Sequence, residues 1–148
     1  DIGCGPGDMV QIANDRGIKT IGIDGDFTLT YPPALRENIL LHDFCDGPAP
    51  LTDEYDLGWS VEFLEHVEEK YVPNFMDAFA RCKYVVCTAA PPGQAGHHHV
   101  NCRDLDYWKE VFSEYKLEYD KEVTAEVKNN SNMIKPFIVR NGMFFRRV

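Results

Sequence analysis

Short apolar runs alternate with helical stripes along most of the chain. Thr20-Ile21-Gly22-Ile23, Ile39-Leu40-Leu41, Tyr55 to Ser60 and Tyr84-Val85-Val86-Cys87 read as strands. Most of these runs are continuous rather than alternating, the pattern of strands covered on both faces in a parallel sheet. Between them lie segments of helical period. Asp8 to Asp15 puts Met9, Ile12 and Ala13 on one stripe, and Val72 to Arg81 does the same with Val72, Phe75, Met76 and Phe79. Leu105 to Tyr115 aligns Leu105, Trp108, Val111, Phe112 and Tyr115. Such stripes predict helices that face a core. The tail predicts a strand at Leu117 to Tyr119, a helix at Lys121 to Lys128, a turn at Asn141-Gly142 and a last strand from Met143 to Arg147. Alternation of strand and helix through residue 115 predicts one α/β domain over residues 1–148, with crossover connections.

Polar residues gather where the apolar runs stop. Asp24 follows the Thr20 run, Asp43 follows the Ile39 run, and Ser60 and Glu62 close the Tyr55 run. Open α/β sheets bind ligands outside the carboxyl ends of their strands, so these four positions predict a ligand cleft.

Charge and composition narrow the classes. With 44% apolar and 26% charged residues, the chain reads as a soluble globular domain. A net charge of -9 argues against a broad phosphate-binding face, so nucleic acid is not an expected partner. The five cysteines (Cys4, Cys45, Cys82, Cys87 and Cys102) contain no C-x-x-C pair and are odd in number. They read as reduced thiols of a cytoplasmic protein, without a zinc site or disulfide framework. No apolar run approaches the roughly 20 residues of a membrane span.

The chain opens on Asp-Ile-Gly-Cys-Gly-Pro-Gly. Gly3, Gly5 and Gly7 are spaced G-x-G-x-G, one residue short of the dinucleotide fingerprint, whose last glycine is replaced by Asp8. An acid there opposes a pyrophosphate but not a zwitterionic or cationic ligand. Asp24 lies at the spacing from which a carboxylate reaches ribose hydroxyls.

Taken together, these motifs resemble the class I S-adenosylmethionine-dependent methyltransferases. Asp1 to Gly7 resembles the first motif of that family. Ile21-Gly22-Ile23-Asp24 resembles the second, His42-Asp43-Phe44 the third, and Tyr55 to Val67, with "VEFLEHV" at its end, the fourth. The resemblance implies a Rossmann-like three-layer sandwich with a mostly parallel sheet. It implies S-adenosylmethionine as cofactor, held by Asp1, Gly3, Cys4, Gly5, Gly7, Asp24, Gly25, Asp43, Phe44, Ser60 and Glu62. It also implies that a central strand precedes Gly3, of which only Asp1 and Ile2 are present. The chain is therefore expected to be an N-terminally truncated fragment that folds poorly and exposes strand edges.

Two histidine-bearing features add candidate chemistry. Glu62, Glu65 and His66 are spaced i, i+3, i+4, and would share a face at a helix start. His97, His98 and His99 sit in a loop with Gly93 and Gly96 after the Tyr84 run. One reading is a divalent cation on Glu62, Glu65 and His66 with a loop histidine, an oxygen and nitrogen set. Glu-x-x-Glu-His resembles both the ubiquinone-type O-methyltransferases and the small-RNA 3′-terminal ribose 2′-O-methyltransferases, the latter with a metal on such a set. The plainer reading makes His66, His98 and His99 candidate catalytic residues, a base or orienting group without metal. An extended loop would point His97 and His99 one way and His98 the other. The preferred function is methylation of a hydroxyl on a small molecule or sugar. The alternatives are a metal-dependent RNA ribose methyltransferase and an inactive cofactor-binding domain.

Overall fold

The computed structural model describes residues 1–148. The chain forms six strands: β1 (Gly22–Asp24), β2 (Ile39–Leu41), β3 (Tyr55–Ser60), β4 (Cys82–Thr88), β5 (Leu117–Tyr119) and β6 (Gly142–Arg147). The six helices are α1 (Asp8–Asp15), α2 (Pro33–Arg36), α3 (Val72–Ala80), α4 (Leu105–Glu114), α5 (Lys121–Asn130) and α6 (Phe137–Asn141). No helix is long and apolar enough to cross a membrane.

The α/β class is as the sequence predicts. The sheet comes in two parts, β2 beside β1 and the order β3-β4-β6-β5. β1 and β2 are parallel, as are β3 and β4, while β6 runs antiparallel to β4 and β5. Asp1 and Ile2 join the parts. Ile2 bridges to Ile23 in parallel, and its N–H donates to the Trp59 carbonyl at 2.8 Å. Ile23 N–H donates to the Asp1 carbonyl and Gly3 N–H to the Ile23 carbonyl, each at 2.8 Å.

The α1 stripe of Met9, Ile12 and Ala13 is apolar, as its period predicts, and it faces the seam between Thr20-Ile21 and Tyr55–Trp59. Only Val10 of that helix is buried.

The main core lies on the other side. Phe75 and Phe79 of α3, Trp108 and Phe112 of α4, and Phe145 of β6 are fully buried. Phe112 stacks on Phe145 with ring centroids 4.0 Å apart, which docks α4 on the sheet. Local chemistry fixes the helix starts. Asp104 caps α4 by accepting from Tyr107 N–H at 2.9 Å, and Asp120 caps α5 by accepting from Glu122 and Val123 N–H at 3.0 Å. Asp8 opens α1, where a carboxylate suits the positive end of the helix dipole. The predicted turn at Asn141-Gly142 is instead a direct junction. Asn141 ends the short helix α6 and Gly142 begins β6. The apolar tripeptide Phe137-Ile138-Val139 is too short a stretch to reveal that helix by its period.

Candidate active site

The glycine turn is built by three residues with positive φ: Gly3 at 73°, Gly5 at 51° and Gly7 at 87°. At Gly3 a Cβ would fall on the Phe63 ring, so the residue is fixed both by its left-handed backbone and by close approach. Gly5 N–H donates to Asp24 Oδ2 at 2.7 Å, which ties the turn to the end of β1. Asp24 Oδ1 accepts from Asp26 N–H at 2.9 Å. Tyr31, with Pro32 and Pro33 after it, reads in the sequence as a residue that shapes the turn into a short helix. It is buried, and its hydroxyl donates to the Gly5 carbonyl at 3.0 Å, a link across 26 residues that no local pattern could reveal.

The other expected cofactor residues surround this turn. Cys4 is buried beneath it, and burial, with Asp24 nearby, pushes its thiol up to about 11. Gly25 lies against Asp43, whose Oδ1 accepts from Cys45 N–H at 2.8 Å. Phe44 is buried edge-to-face against Phe63, with centroids 5.7 Å apart. Ser60 is buried and donates its hydroxyl to the Ile2 carbonyl at 2.8 Å. Asp1, Gly3, Cys4, Gly5, Gly7, Asp24, Gly25, Asp43, Phe44, Ser60 and Glu62 thus collect at one edge of the sheet.

Beyond β3 the chain departs from a regular helix start. Leu64–His66 is a single 3-10 turn, and Glu62 stands before it at φ 56°. Glu62 N–H donates to Thr88 Oγ1 at 2.9 Å, so β4 holds this strained residue in place. Glu62 therefore does not share a helical face with Glu65 and His66. Ligand atoms of Glu65, His66 and His99 do lie within 4.8 Å of one another, and Glu62 is not among them. The expected trio of Glu62, Glu65 and His66 is corrected by the backbone turn at Glu62, and His99 takes the third place.

Glu65 organises the histidine loop. It is fully buried, and its Oε1 accepts from Ala90 N–H at 3.1 Å. Its backbone carbonyl accepts from Val100 N–H at 2.9 Å and Asn101 N–H at 3.1 Å, so one residue clasps both ends of the loop. Glu65 Oε2 is buried without a hydrogen-bond partner, and so is Glu62 Oε1. Burial raises the pKa of both carboxyls, with Glu65 adding to the rise at Glu62.

Both imidazoles are oriented by carbonyls. His66 Nδ1 lies 3.2 Å from the His98 carbonyl, and His99 Nδ1 lies 3.0 Å from the Gln94 carbonyl. A carbonyl only accepts, so each Nδ1 carries the proton and each Nε2 keeps its lone pair. The two rings meet edge-to-face with centroids 5.1 Å apart. Burial and the neighbouring His99 lower the pKa of His66, which keeps its ring neutral near pH 7. His98 adopts φ 53° with its side chain exposed, and its carbonyl faces His66 Nδ1. Gly96 is the missed supporting residue. A Cβ there would fall inside the His99 ring, so only glycine admits the imidazole.

Comparisons with known proteins agree with this layout. Residues 1–87 match the family model described as a methyltransferase domain. No curated protein matches the chain. Among solved structures, magnesium protoporphyrin IX methyltransferase from Synechocystis, with bound SAH, superposes at TM-score 0.68 and 13% identity, over 100% of this chain and 73% of that one. A SAM-dependent methyltransferase from Archaeoglobus fulgidus gives 0.62 and 19%, over 99% and 84%. The methyltransferase domain of bacterial CtHen1 gives 0.61 and 16%, over 99% and 88%. The chain belongs to the methyltransferase-domain family, and its fold is that of S-adenosylmethionine-dependent methyltransferases.

Proposed function

We propose that the protein methylates a hydroxyl of a small molecule or sugar by direct in-line transfer, with His66 and His99 accepting the acceptor's proton. The observation that carries this reading is the pair of carbonyl-oriented imidazoles, His66 and His99, whose ring nitrogens lie within 4.8 Å of each other and of the buried Glu65 carboxylate. A hydroxyl starts protonated, so its attack is helped by a neutral base within reach.

Bound S-adenosylmethionine supplies an electrophilic methyl group on a sulfonium. The turn from Gly3 to Gly7 offers it closely approachable backbone, and Asp24 keeps further lone pairs on both oxygens for ribose hydroxyls. By the family resemblance Asp43 and Phe44 would flank the adenine, with Ser60 and Glu62 following at the end of β3. The protein's main contribution is proximity and orientation.

The test uses methyl-labelled S-adenosylmethionine with a panel of sugars and hydroxylated small molecules. The expected product is a labelled methyl ether. His99→Ala is expected to lower kcat by about 10²–10⁴-fold, with S-adenosylhomocysteine binding by calorimetry unchanged. Label found only on nitrogen, or full turnover in both His66→Ala and His99→Ala, would overturn the reading.

A second reading adds a divalent cation, favoured by the orphaned Glu65 Oε2 and by imidazoles already fixed through their Nδ1 protons. Glu65, His66 and His99 would hold it, and one carboxylate with two imidazoles suits zinc, manganese or iron. A cation there would supply a Lewis acid that lowers the pKa of a bound hydroxyl. Titration with Zn²⁺ and Mn²⁺ by calorimetry should give a site that Glu65→Ala abolishes. Turnover that survives EDTA would count against it. The acidic balance of the chain opposes an RNA acceptor for either reading.

A further inference from the structure

The chain's charges are segregated in a way that the methyl transfer alone does not use. All 24 acidic residues lie within positions 1–126, and residues 127–148 hold none. The segment 78–103, which contains β4 and the histidine loop, is also free of Asp and Glu. The fold brings these two acid-free stretches together. Thr88, at the end of β4, pairs with Gly142, the first residue of β6. Asn141 Nδ2 donates to Gln94 Oε1 at 3.0 Å, and the Gln94 carbonyl in turn orients His99. Lys128 Nζ donates to the Arg140 carbonyl at 3.3 Å, fastening α5 to α6.

The cations in this region are not all equivalent. Arg103 is paired with Glu69, Arg146 with Asp120 and Arg147 with Glu54. Lys135 and Arg140 are exposed and enter no ion pair, and Lys135 Nζ stands 5.8 Å from the Phe137 ring centroid. The exposed side chains of His97 and His98 are on the loop tied to the same helix. A chain of net charge -9 thus keeps two exposed, unpaired cations on the segment that Asn141 joins to the histidine loop through Gln94, beside α5 with its Glu122 and Glu126.

We propose that the methyl acceptor carries an anionic oxygen group, phosphate or carboxylate, held by Lys135 and Arg140 at the rim formed by residues 131–141. Arg140 offers a planar fork that matches either anion, and Lys135 a point charge. The rest of the acidic surface repels such a ligand, so the rim also selects its orientation. The proposal rests on the methyltransferase reading only in calling the ligand an acceptor, because binding is read without turnover.

The experiment is an NMR titration of the full chain, saturated with S-adenosylhomocysteine, using glucose 1-phosphate, glucuronate and glucose as probes. The two anions are expected to shift amides of residues 94–99 and 134–141, and glucose is not. A preference for one anion identifies the source of the charge. Lys135→Ser with Arg140→Ser should weaken anion binding several-fold, as should raising salt from 0.05 to about 0.5 M. Unchanged S-adenosylhomocysteine affinity in that variant keeps the result separate from any loss of the cofactor site. Equal shifts with glucose, shifts confined to other surfaces, or anion binding untouched by the double substitution would overturn the proposal.

Discussion

Asp24 divides its carboxylate between Gly5 N–H and Asp26 N–H, at 2.7 and 2.9 Å. Hydrogen bonds to a charged acceptor contribute about 1.5–3 kcal/mol. Asp24→Ala is therefore expected to free the glycine turn and to weaken S-adenosylmethionine binding at least tenfold by calorimetry. Wild-type affinity in this variant would show that the turn holds its shape without β1. The role of Asp24 was legible because a carboxylate at a fixed distance past a glycine turn is a spacing signal. His99 was legible only as one of three. What separates it from His97 and His98 is the absent Cβ of Gly96 and the left-handed φ of His98, and neither follows from hydrophobic period. Tyr31 was legible as a turn residue but not as the clamp on Gly5, because that contact joins two distant segments.

At the scale of elements, the connection from β3 into the 3-10 turn stores strain. Glu62 has φ 56°, a conformation that costs a residue with a side chain about 1–2 kcal/mol. It also buries an unpartnered Oε1. Glu62→Gly is expected to raise the melting temperature by a few degrees while lowering turnover, the usual exchange where a strained residue serves a site. A lower melting temperature would mean that the Glu62 side chain is a net stabiliser. Thr88→Val removes the hydroxyl that holds Glu62 N–H and should cost about 1–2 kcal/mol in a urea melt. The strands and long helices were readable because apolar runs and stripes report burial directly. The break at Glu62 was not, because Glu-x-x-Glu-His has helical spacing and only β4 pulls its first residue out of line. Helix α6 was hidden for a different reason, its five residues giving less than two turns of period.

The whole molecule couples stability to pH through its buried thiols. Burial pushes Cys4 and Cys82 from 9.0 up to about 11. Folded pKa values above the unfolded ones mean full stability below about pH 9, then loss as pH rises to about 11, on the order of 2 kcal/mol per thiol. Urea melts across that window should show the loss, and Cys4→Ala with Cys82→Ala should reduce it by their share, the buried Cys87 thiol, which is raised further, leaving the remainder. A second whole-molecule property concerns the junction of the two sheet parts. Asp1 to Cys4 hydrogen-bond to β1, and Ile2 also to β3. Ile2 is 4% exposed and belongs to the main core with Ile23 and Phe44. Ile2→Ala truncates that side chain, and core truncations of this size cost about 2–5 kcal/mol. The loss should not be shared evenly. β3 to β6 keep their aromatic core of Phe75, Phe79, Phe112 and Phe145, whereas β1 reaches that core through Ile23 and β2 through Leu40, beside the small cluster of Cys4, Val10, Tyr31 and Leu35. Hydrogen exchange in Ile2→Ala is therefore expected to strip protection from residues 22–24 and 39–41 while β4 and β6 stay protected. S-adenosylmethionine binding should fail together with the β1–β2 half, because Asp24 and the glycine turn stand on it. Uniform loss of protection across both parts would show instead that the two half-sheets unfold as one unit.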